Sequence, residues 1–441
     1  MKGLVRLSGY STGLKVVRFV LGIGSAALLT WLMPIHDYGV YAYALAIAAL
    51  LSVPGEAGMP TLVIREISRA RVEKDDAKVR GIVAFANLTN LALWAAMAAV
   101  TLLVLVLAGN RIPAELRWTL VAILPSLLLG GLANTRAATQ RALGSPIASQ
   151  LPEQIVRPLA VIAFALAAWA ILRGHVDSLA GAIGYSLATA VAFAVGGVLL
   201  LKTWRAQVGA GPAKFQTRNW LVALAPFSGI AALQMALVQM SMIVLGLFAP
   251  PSEVATFRIA TLGSDFAMFS TYAISTVVSP QIAALLHRGE KAELQELIGR
   301  INRLNVLFAL AVVLGILLVG YWALGLVFGP VYRASWLPML ILATGHLCGV
   351  SMGFVTTVTN MSGHEKATMV AAGAGTAVNL ALSALLCSRY GAIGAATAAA
   401  ITVVLWRLGL SLYLYRTMGV RSWAFSRTMP VALKRLLRRE G

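Results

Sequence analysis

Charged residues are scarce in this chain. Asp, Glu, Lys and Arg make up 12% of its 441 residues, whereas soluble proteins contain about 25%. Hydrophobic residues make up 59%, and the mean hydropathy is +0.81. This composition excludes a soluble globular domain and is typical of a protein that crosses the membrane many times.

Cysteine and histidine are also rare. The chain has two cysteines, Cys348 and Cys387, and five scattered histidines. Both cysteines fall inside apolar segments, which excludes a disulfide framework, and the histidines are predicted to lie at the membrane interfaces. We find no Gly-rich nucleotide loop, nucleophile elbow or Asp-rich sugar-nucleotide motif. The sequence therefore predicts no catalytic site, metal site or cofactor.

Acidic residues are outnumbered by basic ones. The chain has 16 Asp and Glu against 36 Lys and Arg, a formal net charge of +20. The cations are spread over several loops without interleaved aromatic residues, which argues against nucleic-acid binding. Residues 431–439 are predicted to form an amphipathic helix against anionic lipid headgroups.

Long apolar segments fill the rest of the chain. A membrane-spanning helix needs about 20 apolar residues, and twelve windows of that length occur. The predicted spans are residues 11–33, 38–63, 81–107, 118–138, 151–172, 178–201, 220–248, 254–286, 304–328, 336–361, 368–387 and 393–414.

The distribution of Lys and Arg predicts the orientation, because short basic loops stay on the cytoplasmic side. With a cytoplasmic N-terminus, the outer connections carry few cations, namely Arg111, Arg117, Arg173, Arg333 and Arg389. The inner connections carry many more, concentrated in residues 65–80, 202–218 and 288–303 and in the basic tail. Both termini are therefore predicted to be cytoplasmic, and most of the positive charge is topological.

The spans divide into two similar halves. The second span opens with Gly39-Val40-Tyr41 and leads to Glu73-Lys74, and the eighth opens with Val254-Ala255-Thr256 and leads to Glu290-Lys291. We predict an all-α polytopic membrane protein with two six-helix bundles, related by a pseudo-twofold axis along the membrane normal and facing each other across a cleft. The predicted parts are an N-terminal bundle (1–201), a flexible Gly- and Pro-containing cytoplasmic linker (202–219), a C-terminal bundle (220–415) and a basic tail (416–441).

Three short motifs follow one another along the chain, each at a particular position in a predicted helix. Tyr38-Gly39 opens a segment that reads YGVYAYALAIAALLSVPGEAGMPTLVIREISRA. Arg258 precedes Ser279-Pro280 and the Gly289-Glu290-Lys291 loop. Asn360-Met361-Ser362-Gly363 closes the tenth span.

This ordered set resembles bacterial polysaccharide exporters, the O-antigen flippase family of the multidrug/oligosaccharidyl-lipid/polysaccharide (MOP) superfamily. The resemblance implies a flippase that moves a polyprenyl-pyrophosphate-linked oligosaccharide to the outer leaflet of the bacterial inner membrane. It also implies work alongside a glycan polymerase or a chain-length regulator.

Charges inside spans need a cavity or a partner, because each costs roughly 2.5–3.5 kcal/mol near the bilayer centre. Lys15 and Arg18 share one face of the first helix, and Arg258 and Asp265 share one face of the eighth. Arginine can bind pyrophosphate through two hydrogen bonds, so we expect Arg18, Arg258 and Lys15 to contact it. The alternative for Lys15 is snorkelling to the inner headgroups, and for Arg18 it is snorkelling or an interhelical hydrogen bond. Arg258 could instead snorkel outward or form a structural pair with Asp265.

Other polar residues within spans are candidates for sugar binding and for ion coupling. The amides of Asn87, Asn90, Gln234 and Gln239 can bind sugar hydroxyls or hold helices together. Asp265 and Glu56 are carboxylates that could carry H⁺ or Na⁺. Glu56 lies in the segment 54–58, a Pro- and Gly-containing break in the second helix that could form a hinge.

Three local expectations concern the remaining intramembrane charges. Arg136 and Gln140 are predicted to meet the lipid headgroups, with a substrate role as the alternative. Glu153 and Arg157, four residues apart, are predicted to form a local ion pair. Arg407 lies deeper in the last span, and the sequence indicates no partner for it.

Functions other than oligosaccharide export predict different features of the chain. A drug/cation antiporter of the same superfamily should have an acidic cleft, whereas this chain has more buried Arg and Lys than Asp and Glu. A lipid II flippase also handles a pyrophosphate, but usually has two more helices. A membrane glycan polymerase or ligase, the alternative from a different class, should carry a large outer loop that is missing here.

Overall fold

The computed structural model describes residues 2–56, 58–419 and 423, with side chains from residue 13 onward except at 54–57, 225–227, 230, 273, 276–277 and 280. The predicted tail helix at 431–439 lies outside these residues. Within them the chain is helical and contains no strand. The α-helices are α1 Lys2–Leu32, α2 Ile35–Glu56, α3 Met59–Val72, α4 Asp76–Ala108, α5 Ala114–Ala142, α6 Pro146–Leu151, α7 Arg157–Ile171, α8 Ser178–Gln207, α9 Thr217–Phe248, α10 Pro251–Ser264, α11 Phe266–Arg288, α12 Lys291–Val327, α13 Trp336–Ser351, α14 Val355–Met361 and α15 Glu365–Met418.

Ten stretches of the described residues are long and apolar enough to cross a membrane. One of them, α15, has 54 residues, about 80 Å at 1.5 Å per residue, which is more than two membrane thicknesses. Its backbone leaves the helical conformation at Gly391 (φ 52°, ψ −130°), so it contains both of the last two predicted spans. The predicted eighth span corresponds to α10 and α11. The prediction of an all-α polytopic membrane protein is confirmed.

Several predicted spans are interrupted by turns. The second ends as α2 at Glu56 and resumes as α3 after Gly58, whose φ of 78° suits glycine. This confirms the predicted break. The eighth span turns at Asp265 between α10 and α11, and the tenth turns at Gly353 (φ 85°) between α13 and α14.

The chain divides into two compact units, residues 1–239 and 240–441. The boundary falls inside α9, later than the predicted bundle boundary near residue 220. Trp220 explains the difference, because it is buried against Phe85 with ring centroids 5.2 Å apart. The start of α9 therefore belongs to the core of the first unit, together with Leu62, Ile67 and Ile82.

The predicted flexible linker is anchored to the first unit. After α8 ends at Gln207, the Gly209 N–H donates to Asp76 (2.8 Å) and the Lys214 N–H donates to the Ala77 carbonyl (2.9 Å). Arg80 donates to the Gly209 and Pro212 carbonyls. The expectation of a free flexible segment is wrong for 208–216, because the first turn of α4 and its Arg80 satisfy the polar groups of this backbone.

Candidate functional site: two polar clusters

One group of ionisable side chains lies in the first unit, where α1, α5, α7 and α8 pack together. It comprises Arg18, Arg136, Glu153, Arg157 and Tyr185 and is called the first polar cluster. Arg18 is exposed, and Arg157, Tyr185 and Glu153 are close enough to interact with it electrostatically. Its guanidinium makes no hydrogen bond or ion pair with any described side chain.

Arg136 is the most buried member of the first polar cluster, with 4% of its surface exposed. It donates to both carboxylate oxygens of Glu153 at 2.8 and 2.7 Å and to Gln140 at 3.1 Å. Gly196 of α8 makes room for it, since a Cβ there would overlap the guanidinium. Both Arg136 and Gln140 are enclosed by protein, so the prediction that they meet lipid headgroups is wrong.

Glu153 was expected to pair with Arg157, four residues further along. The chain instead forms a π-helical turn at Pro152–Val156, and the ion pair of Glu153 is with Arg136 of α5. The guanidinium of Arg157 stacks over the Tyr185 ring, 5.9 Å from its centroid. The predicted local pair is therefore wrong, because a π-helical turn changes the side-chain angles on which i, i+4 spacing depends.

The first polar cluster carries an excess of positive charge. Its five members include three arginines and one carboxylate, that of Glu153, which Arg136 already engages through both oxygens. Arg18 and Arg157 are left without a counter-ion among the described residues. The arrangement suits an anion with several oxygens.

A second group lies in the other unit, around the junction of α10 and α11. It comprises Arg258, Asp265, Tyr272, His346 and Arg407 and is called the second polar cluster. Arg258 is half-buried and acts electrostatically on Asp265, whose carboxylate lies 3.9 Å from His346 Nε2. The guanidinium of Arg258 has no hydrogen bond or ion pair among the described residues.

Arg407 joins this second cluster from α15. It donates to the Gly349 carbonyl at 3.2 Å, and its buried Nε has no hydrogen-bond partner among the described residues. Arg407 also acts electrostatically on His346 and Tyr272. The sequence placed it deep in a span without a partner. The Arg407 side chain packs against α13 at Gly349. A Cβ added to Gly349 would lie 3.0 Å from Arg407 Cδ.

The four predicted amides differ in their surroundings. Asn90 is buried, donates to the Gly131 carbonyl and to Thr135 Oγ1 at 2.9 Å each, and so joins α4 to α5. Its Oδ1 is unpaired, and it borders a cavity of about 20 Å³, room for about one water molecule. Asn87 and Gln239 are half-buried and Gln234 is exposed. These three make no side-chain hydrogen bond among the described residues.

Two further predicted residues lie on the first two helices. Lys15 is half-buried on α1, three residues from Arg18. Glu56 is the last residue of α2, and its side chain lies outside the described part of the chain.

The comparisons with known proteins agree on family and fold. The family model described as polysaccharide biosynthesis protein matches residues 4–286, well over half of the chain. No curated protein matches it. An inward-facing multidrug resistance MATE family transporter of the MOP superfamily has a TM-score of 0.75 at 12% identity, covering 91% of this chain and 96% of its own.

Two other solved structures extend this likeness. The lipid II flippase MurJ, in an inward closed conformation, has a TM-score of 0.71 at 15% identity and covers 92% of this chain and 87% of its own. A MOP superfamily transporter from Pyrococcus furiosus, described as having a binding pocket of reverse polarity, has a TM-score of 0.64 at 13% identity and covers 93% and 94%.

These proteins are transporters and flippases, not enzymes, and the resemblance that the sequence motifs indicated is confirmed. At such low identities the structural likeness establishes the fold, whereas the family model establishes the family. The chain belongs to the polysaccharide biosynthesis protein family and has the fold of MOP superfamily transporters.

Proposed function

We propose that the protein is a flippase for polyprenyl-pyrophosphate-linked oligosaccharide repeat units, the precursors of O-antigen, capsule or exopolysaccharide. It moves them across the bacterial cytoplasmic membrane by alternating access. Membership of the polysaccharide biosynthesis family supports a glycan cargo, and the MOP fold supports transport. A lipid-linked cargo is consistent with the similarity to the lipid II flippase.

The observation that carries the proposal is the unpaired guanidinium of Arg18 beside Arg157. Two cations held near each other without a counter-ion repel, and a pyrophosphate between them would relieve that repulsion. Arginine also presents its N–H groups in a planar fork that matches phosphate oxygens. Lys15, three residues from Arg18 on α1, would add a further cation at the inner end of the path.

In the second unit, Arg258 has the corresponding role in the proposal, since its guanidinium is also unpaired. The free amides of Asn87, Gln234 and Gln239 are the better candidates for sugar hydroxyls. The side-chain amide of Asn90 already donates two hydrogen bonds to α5, so we assign Asn90 to helix packing.

Transport against a gradient needs an energy source, for which we propose H⁺ or Na⁺ binding at Asp265. Its carboxylate stands at a helix junction, faces His346 and is influenced by Arg258. A proton or cation there would change the balance of charge in the second polar cluster. Glu56, at the corresponding break of the second span, is the other candidate.

The excess positive charge of the first polar cluster argues against the drug/cation antiporter alternative, because a cationic drug would be repelled there. The substrate of a lipid II-type flippase also carries a pyrophosphate, so this alternative differs from the proposal only in the glycan that is moved. We further propose that the protein works as two functional bundles, 1–201 and 220–415 by their sequence pattern, with the start of α9 packed into the core of the first. We also propose cytoplasmic termini and cooperation with a glycan polymerase or chain-length regulator.

The test is the movement of a polyprenyl-pyrophosphate oligosaccharide between the leaflets of vesicles containing the purified protein. We expect protein-dependent movement that falls at least about tenfold in Arg18→Ala, because a hydrogen bond to a charged group contributes roughly 1.5–3 kcal/mol. Arg18→Lys should restore part of it, since lysine keeps the charge but not the fork.

Arg205→Ala is the matched control, because Arg205 is an exposed arginine at the end of α8 and outside both clusters. Its variant should flip the substrate at the wild-type rate. Wild-type movement in Arg18→Ala would remove Arg18 from the path, and movement of lipid II in preference to other donors would favour the alternative substrate.

A further inference from the structure

We propose that His36, Asp37 and Glu115 form a binding site for a divalent transition-metal ion of the zinc type. His36 and Asp37 lie in the first turn of α2, and Glu115 lies in the first turn of α5. This site is distinct from both polar clusters and does not depend on the proposed function. No local sequence pattern indicates this site, because Glu115 lies 79 positions after His36.

The geometry of these three residues suits a single ion. One ligand atom from each side chain lies within 4.8 Å of the other two, and His36 Nδ1 is 3.5 Å from a Glu115 carboxylate oxygen. Ligands bound to one zinc ion at about 2.0–2.2 Å lie roughly 3–4 Å apart in a tetrahedron. Small side-chain rotations would therefore bring all three into coordination.

The charge at this place is unbalanced without a cation. The ionisable groups that act electrostatically on Asp37 are His36, Glu115 and Asp177. Three carboxylates thus gather in a chain that has 36 Lys and Arg against 16 acidic residues, and neither Lys nor Arg is among the groups acting on Asp37. A carboxylate in the first turn of a helix is favourable alone, but this does not explain why Asp37 and Glu115 converge on the same imidazole.

The helices hold the ligands in place. α2 and α5 pack along a shared apolar core that includes Ala44, Ala48, Leu120 and Ile123. Asp37 also accepts a hydrogen bond from the Ser178 backbone at the start of α8. His36 and Glu115 are exposed, whereas Asp37 is half-buried. An ion can therefore reach the site, and water could complete its coordination.

The donor set selects the class of ion. An imidazole nitrogen suits Zn²⁺ and similar first-row metals, whereas Mg²⁺ prefers oxygen ligands alone and keeps several waters. A bound ion would join the ends of α2 and α5 and stiffen the start of the broken second span.

The experiment is calorimetric titration of the untagged, full-length protein in detergent with Zn²⁺ alone, in a buffer containing excess Mg²⁺. We expect one ion per chain in the wild type and an affinity at least about tenfold lower in His36→Ala and in Glu115→Gln, given that even outer-shell ligand changes cost 10–100-fold. Zn²⁺ should also raise the unfolding temperature of the wild type but not of these variants.

His175→Ala is the control, because His175 is an exposed histidine outside the group, and it should bind Zn²⁺ as the wild type does. Equal unfolding temperatures of all variants in EDTA would show that each is folded. Absence of stoichiometric binding, or equal affinity in His36→Ala and the wild type, would overturn the proposal.

Discussion

Arg136 is buried inside the first unit, where its guanidinium needs both a counter-ion and enough space. Glu153 compensates the charge with two short hydrogen bonds, and Gly196 leaves the space. Removing one partner of a buried ion pair costs about 3–5 kcal/mol, because the other charge stays buried. The Arg136–Glu153 pair therefore depends on Gly196, which contributes only the space left by its missing side chain.

We expect Gly196→Ala to lower the stability of the protein by roughly 1–3 kcal/mol, the usual cost of overpacking a core. The new methyl group would displace the Arg136 guanidinium from Glu153. Thermal unfolding in detergent would measure the change.

Gly197→Ala is a closely matched control, because nothing lies within 4 Å of a Cβ added there. Alanine is favoured over glycine inside a helix by roughly 0.5–1 kcal/mol, so this variant should be slightly more stable than the wild type. Equal effects of the two substitutions would show that the Arg136 pocket does not limit stability.

The charged residues within the spans differ in how far a local sequence pattern predicts their contacts. The cost of a charge in a span makes Arg18, Arg258 and Asp265 candidate site residues from the sequence alone. The structure places Arg258 close enough to Asp265 to act on it electrostatically. The Arg136–Glu153 pair could not be predicted in this way. Its partners belong to different helices, and a π-helical turn sets their approach.

At the scale of elements, the spans were predictable because each is a long apolar run, and the break at Gly58 followed from its Pro and Gly neighbours. The anchoring of the linker was not. Its composition resembles a flexible loop, whereas its actual partners, Asp76, Ala77 and Arg80, lie more than 120 residues away in sequence. Only the folded chain brings these groups together.

The close approach of the linker to α4 makes a specific prediction. A Cβ at Gly81 would overlap the Lys214 carbonyl, so Gly81→Ala should detach residues 208–216 and make them accessible to protease. We expect faster cleavage in the linker, measured by limited proteolysis and mass spectrometry.

The control is Gly22→Ala, since a Cβ at Gly22 meets nothing within 4 Å, and it should be cleaved at the wild-type rate. Arg80→Ala should resemble Gly81→Ala, because it removes the hydrogen bonds to Gly209 and Pro212. Wild-type resistance in both would mean that the anchor contributes little to holding the linker.

The helix α15 is divided at Gly391, where the backbone adopts a conformation that suits glycine. Gly391 has a φ of 52°, and its neighbour Ala392 donates its N–H to the Glu253 carboxylate at 2.7 Å. An added Cβ would lie 2.6 Å from the same carboxylate. Gly391→Ala should therefore destabilise the second unit by about 1–3 kcal/mol, the cost of a strained backbone conformation, measured by thermal unfolding.

Gly409→Ala, on the same helix with no atom within 4 Å of its added Cβ, should not destabilise the protein. Glu253→Gln should weaken the hydrogen bond to the Ala392 N–H without changing the backbone conformation at Gly391. A Gly391→Ala variant as stable as the wild type would indicate that the backbone there can relax into an ordinary helix turn.

For the whole molecule, the excess of Lys and Arg in alternate loops predicts that both termini are cytoplasmic. The chain has only Cys348 and Cys387, so a cysteine-free background needs two substitutions. Single cysteines can then be placed at exposed positions, with Asn110 and Ser388 predicted outside and Ala210 and Glu365 predicted inside.

We expect a membrane-impermeant maleimide to label Asn110→Cys and Ser388→Cys in intact spheroplasts, but Ala210→Cys and Glu365→Cys only after permeabilisation. None of the four changes removes a Lys or Arg, so the charge bias that sets the topology is kept. Because an even number of spans separates the two inside positions, their labelling must agree whichever way the protein inserts. The reverse labelling pattern at all four positions would mean that the topology is inverted. Disagreement between Ala210→Cys and Glu365→Cys would instead mean that an odd number of spans lies between them.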